Sequence, residues 1–161
     1  MPAVRERIRD VERLTGKGFG AKDNPLLVSV RSGAAMSIPG MMDTVLNLGL
    51  NKNTLSCLAE QTGNYRFVLD SYRRFIQLIG KVALGVSDEY FDEQLENVKK
   101  RAAVQVDLDL SANDLEEVCA RFLEVVTKHT GQPFPDDAYE QLEVAIKAVF
   151  GSWMGKRAMH Y

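Results

Sequence analysis

The sequence predicts a predominantly helical α+β protein, with a small β-hairpin at about residues 26–50 packed with five to six helices. Three observations carry this. Two short apolar runs, residues 26–30 and 45–50, flank a loop of small residues. Beyond Leu50 the apolar residues recur almost wholly at helical spacing, between recognisable caps and breakers. The length of 161 residues, with 45% hydrophobic and 26% charged residues, suits one soluble globular domain with a working core.

Taken in order, Val4, Ile8, Val11 and Leu14 recur at helical spacing among charged residues, an amphipathic helix stopped by Gly16 and Gly18. Residues 19–24 read as a loop, and Pro25 sits just ahead of the first strand, where its missing N–H does least harm. A lone pair of strands is marginal in water, so helices or other strands must cover this hairpin. Asn51 or Asn53 caps a helix through Leu55, Leu58 and Ala59 that ends at Gly63. Asn64 opens the next, with Phe67, Val68, Tyr72, Phe75, Ile76 and Ile79 as its apolar stripe. Ser87 starts a helix of Tyr90, Phe91, Leu95 and Val98, which begins with Asp88-Glu89 and ends in Lys99-Lys100-Arg101, matching the helix dipole. Residues 104–110 alternate apolar and polar, as either a strand or an extended connector. Ser111 caps a long helix whose core face is Leu115, Val118, Phe122, Val125 and Val126. Residues 129–135 break it, and Asp136 or Asp137 opens a last helix through Leu142, Ala145, Ile146, Val149 and Phe150. The expected organisation is one subdomain from residues 1–50 and 131–161, with a helical subdomain, 51–130, inserted between its halves.

Several function classes are disfavoured. The net charge of −2, with basic residues spread among acids, argues against a nucleic-acid groove or an anionic membrane partner. No apolar run approaches the ~20 residues that span a bilayer, and the start MPAVRERIRD is charged. Cys57 and Cys119 have no CxxC spacing and read as two reduced, buried thiols of a cytoplasmic protein. His129 precedes a helix break and His160 lies beside the last residue, so neither belongs to a nucleophile or metal-ligand pattern. Neither a GxxxxGK[ST] loop nor a GxGxxG fingerprint is present.

Arginines are the remaining candidates. Arg31 stands where the first strand meets the small-residue loop Ser32-Gly33-Ala34-Ala35. Such a corner lets a polyanion approach free N–H groups, with a planar fork of donors beside them. A plain hairpin with a long loop accounts for the same residues. Tyr72-Arg73-Arg74 lies on a helix, where neighbours point about 100° apart, so only one of the two arginines serves a given site and the other faces water or an acid. Structural ion pairs are the alternative role for Arg74 and Arg157. Asn64-Tyr65-Arg66-Phe67-Val68 is faintly echoed by Gly155-Lys156-Arg157-Ala158-Met159, as if two helix starts presented an arginine to one place.

The strings VSVRSGA (28–34) and PGMMDTVLNLGL (39–50) resemble the nucleotide-binding region of pyruvate phosphate dikinase. The similarity continues into Tyr72-Arg73-Arg74-Phe75-Ile76-Gln77 and reaches Ser152-Trp153 and Arg157-Ala158, so it covers most of the chain. It implies a partial ATP-grasp-like nucleotide-binding domain. In that family Arg31, Ser32, Arg74 and Arg157 would bind the phosphates of ATP, for transfer to a histidine on another domain. Gly40, Met42, Asp43 and Thr44 would belong to a lid over the nucleotide, with Met41 and Met42 serving as apolar cover or as core contacts. Mg²⁺ would arrive with the ATP, and the partners would be the dikinase's histidine domain and its pyruvate and phosphoenolpyruvate domain.

The departures are as informative. The resemblance covers an inner portion of the nucleotide domain, without the Gly-rich lysine region, the metal-binding acids or a GGxTSHAA-type motif around either histidine. Ile38 and Lys156 are smaller changes. The expectation is a piece of such an enzyme without turnover of its own. The alternative is a non-catalytic helical interaction or regulatory domain derived from it.

Overall fold

The computed structural model describes residues 2–31 and 44–153, the last two by backbone alone. It divides into two units, Met1–Cys57 with Pro135–Tyr161, and Leu58–Phe134.

The first unit begins with α1 (Pro2–Thr15), which Gly16 ends at φ +70°, with its N–H donated to the Glu12 carbonyl at 2.9 Å. No residue of α1 is buried, and Leu14 is 87% exposed, so its apolar spacing specified a helix without supplying a cover. Residues 18–26 differ from the expected loop and single strand. Here β1 (Gly18–Phe19) pairs in parallel with β2 (Pro25–Leu26), and Leu27 separates β2 from β3 (Val28–Val30). The cause is Asn24, which takes the left-handed conformation at φ +48° and donates from Nδ2 to the Gly16 carbonyl at 2.9 Å.

Strand β4 (Val45–Leu48) runs antiparallel to β3 in the register Val28↔Leu48 and Val30↔Val45. Two residues of β4, Leu46 and Asn47, thus lie opposite the single residue Ser29 of β3, a bulge in which Asn47 stands at φ +62°. The bulge makes both Val45 and Leu48 fully buried while Leu46 and Asn47 are exposed. Gly49 follows at φ +108°, where a Cβ would stand 2.9 Å from the Leu26 carbonyl, so only glycine fits.

The cover on this hairpin is α6 (Ala138–Trp153), which packs on β3 and β4 and buries Leu142, Ala145 and Val149. Ile146 is only half-buried and Phe150 is 66% exposed, unlike the predicted stripe. The side chain that ties the helix to the strands is polar. Gln141, fully buried, accepts the Gly49 N–H at Oε1 and donates from Nε2 to the carbonyls of Leu50 and Pro135, all at 2.9 Å. Phe19 meets Tyr139 edge to face at 5.0 Å, and the Arg5 guanidinium lies 4.4 Å from the Tyr139 ring centre.

Helix α2 (Lys52–Thr62) runs across the division between the units. Asn51 caps it as expected, its Oδ1 accepting the N–H groups of Asn53 at 2.9 Å and Thr54 at 3.0 Å. Its one buried residue is Thr54, whereas Leu55, Leu58 and Ala59 are half-buried.

The second unit contains α3 (Tyr65–Val82), α4 (Asp88–Ala102), a short 3₁₀ turn (Asp107–Asp109) and α5 (Ala112–Thr130). Asn64 caps α3 through the Phe67 N–H at 3.0 Å, and Ser111 with Asp114 forms a complete capping box on α5. Val68, Leu69, Tyr72, Phe75, Ile76 and Ile79 of α3 are buried, with α5 packed against both α3 and α4. Phe67 is 56% exposed and Tyr90 43% exposed, both outside the core predicted for them. Gly80 lets α3 approach α4 closely, since a Cβ there would lie 2.5 Å from Phe91 Cζ. Residues 104–110 form a connector containing the 3₁₀ turn, after Ala103 reverses the chain at φ +58°. Tyr90 stacks on His129 at 3.9 Å.

Both cysteines are free. Cys119 is buried, donates from Sγ to the Leu69 carbonyl at 3.4 Å, and has its thiol pushed up to about 12 by burial. Cys57 is only half-buried, like Leu55, Leu58 and Ala59 around it on α2. Among the described residues no helix is long and apolar enough to cross a membrane.

Candidate functional site

In the first unit, Arg31 directly follows β3 and Thr44 directly precedes β4. The Val30↔Val45 pairing therefore brings both to the same end of the ladder, where residues 32–43 leave and return. Both side chains are exposed, and among the described residues Arg31 has no ion-pair partner. An exposed guanidinium at a strand end can present its planar fork of donors to an anion. Ser32, Gly40, Met42, Asp43 and Arg157, with Met41, lie outside the described residues.

In the second unit, the i, i+1 pair Arg73-Arg74 separates as helical geometry requires. Arg73 turns inward and is 5% exposed, with its Nε donating to Asp70 Oδ1 at 2.7 Å and Nη2 to Asp107 Oδ2 at 3.3 Å. A guanidinium this buried has to be paired, because an isolated one would carry a desolvation cost of several kcal/mol. Arg74 turns outward. Its side chain is 69% exposed, and its Nε lies 3.2 Å from Asp70 Oδ2. The ion-pair alternative for Arg74 is therefore present in the structure, as an acid-first i, i+4 pair worth a few tenths of a kcal/mol.

Arg74 borders an open cavity of about 500 Å³, with Arg66, Asp70, Lys99, Asp107 and Leu108 also on its wall. Arg66 is largely committed to backbone, donating from Nε to the Leu110 carbonyl at 2.6 Å and from Nη2 to the Asp107 carbonyl at 2.7 Å. Its half of the sequence echo with Arg157 is thus a structural anchor for the 3₁₀ turn. Lys99 bridges Asp107 at 2.8 Å and Glu96 at 3.0 Å, and these hydrogen bonds push its ammonium group up. The same bond from Lys99, followed by the charge of Arg73, holds the Asp107 carboxyl below the usual range despite its partial burial. The wall carries three cations and two acids, so it favours an anion by one charge.

Sequence reasoning singled out Arg74 and missed its surroundings. Asp70 was visible in principle, four residues ahead on the same helix face. Lys99 and Asp107 were not, since only the folding of α3, α4 and the turn onto one another brings them to Arg73. Arg31 and Arg74 fall in different units. Among the described residues no group of three or more His, Cys, Asp or Glu could hold a metal ion.

The sequence profile of the family described as pyruvate phosphate dikinase, AMP/ATP-binding domain, matches residues 1–161. The chain is 56% identical over 161 residues to pyruvate, phosphate dikinase of Entamoeba histolytica, covering 100% of this chain and 18% of that protein. It is 51% identical over 158 residues to the proteins of that name from Giardia intestinalis and Rhizobium meliloti, covering 98% of this chain and 18% of each. It therefore spans less than a fifth of the length of these relatives. With the profile matched end to end, the chain belongs to the pyruvate phosphate dikinase AMP/ATP-binding domain family.

Proposed function

We propose that this chain forms part of the ATP site of a pyruvate phosphate dikinase-type phosphotransferase, which converts ATP, pyruvate and phosphate to AMP, phosphoenolpyruvate and diphosphate. The observation that carries this is the family match along residues 1–161, with the exposed Arg31 placed at the mouth of the β3–β4 ladder. Arg31, Ser32, Arg74 and Arg157 bind ATP phosphates, and Gly40, Met42, Asp43 and Thr44 cover the nucleotide. Phosphoryl transfer asks mainly for positioning and charge neutralisation, which arginines supply without proton chemistry. The exposed guanidinium groups of Arg31 and Arg74 suit a polyphosphate. Mg²⁺ would be supplied with the ATP, whose phosphate oxygens are its usual ligands. The partners are a histidine-bearing domain that accepts the phosphoryl group and a domain that binds pyruvate. Two free thiols are in keeping with a cytoplasmic setting.

The test replaces the matching 161 residues of the Entamoeba histolytica relative by this chain and measures AMP formation from ATP with pyruvate and phosphate present. The hybrid should turn over, and Arg31→Ala and Arg74→Ala should each lower its rate by roughly 10²-fold, the order seen when one transition-state donor is removed. An active hybrid whose rate neither substitution changes refutes the phosphate assignment.

A further inference from the structure

We infer that Asp70 is a positioning residue, which fixes the Arg74 guanidinium at the edge of the cavity by dividing its carboxylate between two arginines. The inference rests on the reading of Arg74 as a phosphate ligand and adds a group that acts through it. One carboxylate oxygen, Oδ1, is held at 2.7 Å by Nε of the buried Arg73, and the other, Oδ2, lies 3.2 Å from Nε of Arg74. Asp70 cannot swing freely toward water, because its inner partner is buried and has a second anchor. That anchor is Asp107, which Arg73 reaches at 3.3 Å and which Lys99 pins from α4 at 2.8 Å. Arg66 fixes the same turn through the Asp107 carbonyl at 2.7 Å. The outcome is a relay from the 3₁₀ turn, through a buried cation and a shared carboxylate, to one exposed cation. An Arg74 tethered at Nε has lost part of its rotamer freedom before any anion arrives, while its two Nη groups carry no other ion pair among the described residues.

Two forces on an incoming phosphate act oppositely here, which makes the inference testable. As a charge, Asp70 repels a polyanion, so Asp70→Asn should tighten binding if charge alone matters. As a tether, Asp70 preorganises Arg74, so Asp70→Asn should weaken it. The experiment titrates ATP into the 161-residue chain by calorimetry, for wild type, Asp70→Asn, Arg74→Ala and the double variant. Asp70→Asn is expected to weaken ATP binding by up to about twofold, the size of an exposed i, i+4 ion pair. The double variant should bind no more weakly than Arg74→Ala alone, since the first substitution acts through the second residue. In parallel, the Arg74 Nε–H resonance should shift in Asp70→Asn, with or without ATP. Equal or tighter ATP binding by Asp70→Asn, where Arg74→Ala weakens it, overturns the positioning role and leaves Arg74 as a ligand. Undiminished binding by Arg74→Ala removes the phosphate reading itself. An Arg74 Nε–H signal unmoved by Asp70→Asn refutes the tether whatever the nucleotide does.

Discussion

Replacing Gln141 by leucine should destabilise the first unit far more than its place on a helix suggests. The side chain is fully buried and makes three hydrogen bonds of 2.9 Å, one to the Gly49 N–H and two to the carbonyls of Leu50 and Pro135. Leucine has nearly the same volume, so little arises from a cavity. The loss comes from three buried backbone groups left without this partner, each costing about 1–3 kcal/mol, less what rearrangement recovers. A total of roughly 3–6 kcal/mol follows, enough to lower the melting temperature by roughly 10 °C or more. Guanidinium denaturation followed by circular dichroism measures the total, and hydrogen exchange at the Gly49 amide reports the local part. The amide should lose its protection in Gln141→Leu. The half-buried neighbour change Glu143→Gln, which weakens only an i, i+4 pair with Lys147, should stay within about 0.5 kcal/mol. A loss below about 1 kcal/mol with Gly49 still protected would refute the view that one glutamine ties α6 to the end of β4.

Gly80→Ala places a methyl 2.5 Å from Phe91 Cζ, in a contact where Phe91 is fully buried, so it should cost about 1–3 kcal/mol by overpacking. Adding Phe91→Leu should recover part of that loss, and a denaturant midpoint unchanged by Gly80→Ala would contradict the close approach of α3 and α4. Asp107 has its carboxyl held down, first by Lys99 and then by Arg73, so its contribution is present above the ordinary carboxyl value of 3.8 and fades as pH falls through the lower folded value. Asp107→Asn should therefore be less stable than wild type at neutral pH, with the gap closing below pH 3.8 in a series of acid melts. A gap that stays constant with pH would mean that the ion pairs of the turn do not contribute.

Local patterns made much of the secondary structure legible. Asn64, Ser111 and Asn51 cap the helices they were expected to cap, because a side-chain oxygen satisfying an N–H two or three residues on is a short-range event. Val45 and Leu48 form the buried face of a real strand, but the bulge at Asn47 that brings both inward was not readable from alternation. The parallel β1–β2 pair was missed for the same reason. Two-residue strands carry no period, and a left-handed asparagine decides their meeting. Phe67, Tyr90 and Phe150 sit in apolar patterns yet stay exposed, since periodicity names a face without saying what lies opposite it.

At the site the division is sharper. Arg31 and the PGMMDTVLNLGL string point by themselves to the dikinase family, because consecutive residues keep their types and spacing together in the chain whatever the rest of it does. The separate fates of Arg73 and Arg74 depended on tertiary structure. One is drawn inward by carboxylates on its own helix and on a turn 34 residues further along, and the other is left at the cavity edge by the 100° step of the helix. Burial and long-range ion pairing are properties of surfaces brought together by folding, so the resemblance singled out Arg74, while the partners that bury Arg73 were set only once α3, α4 and the 3₁₀ turn were in place.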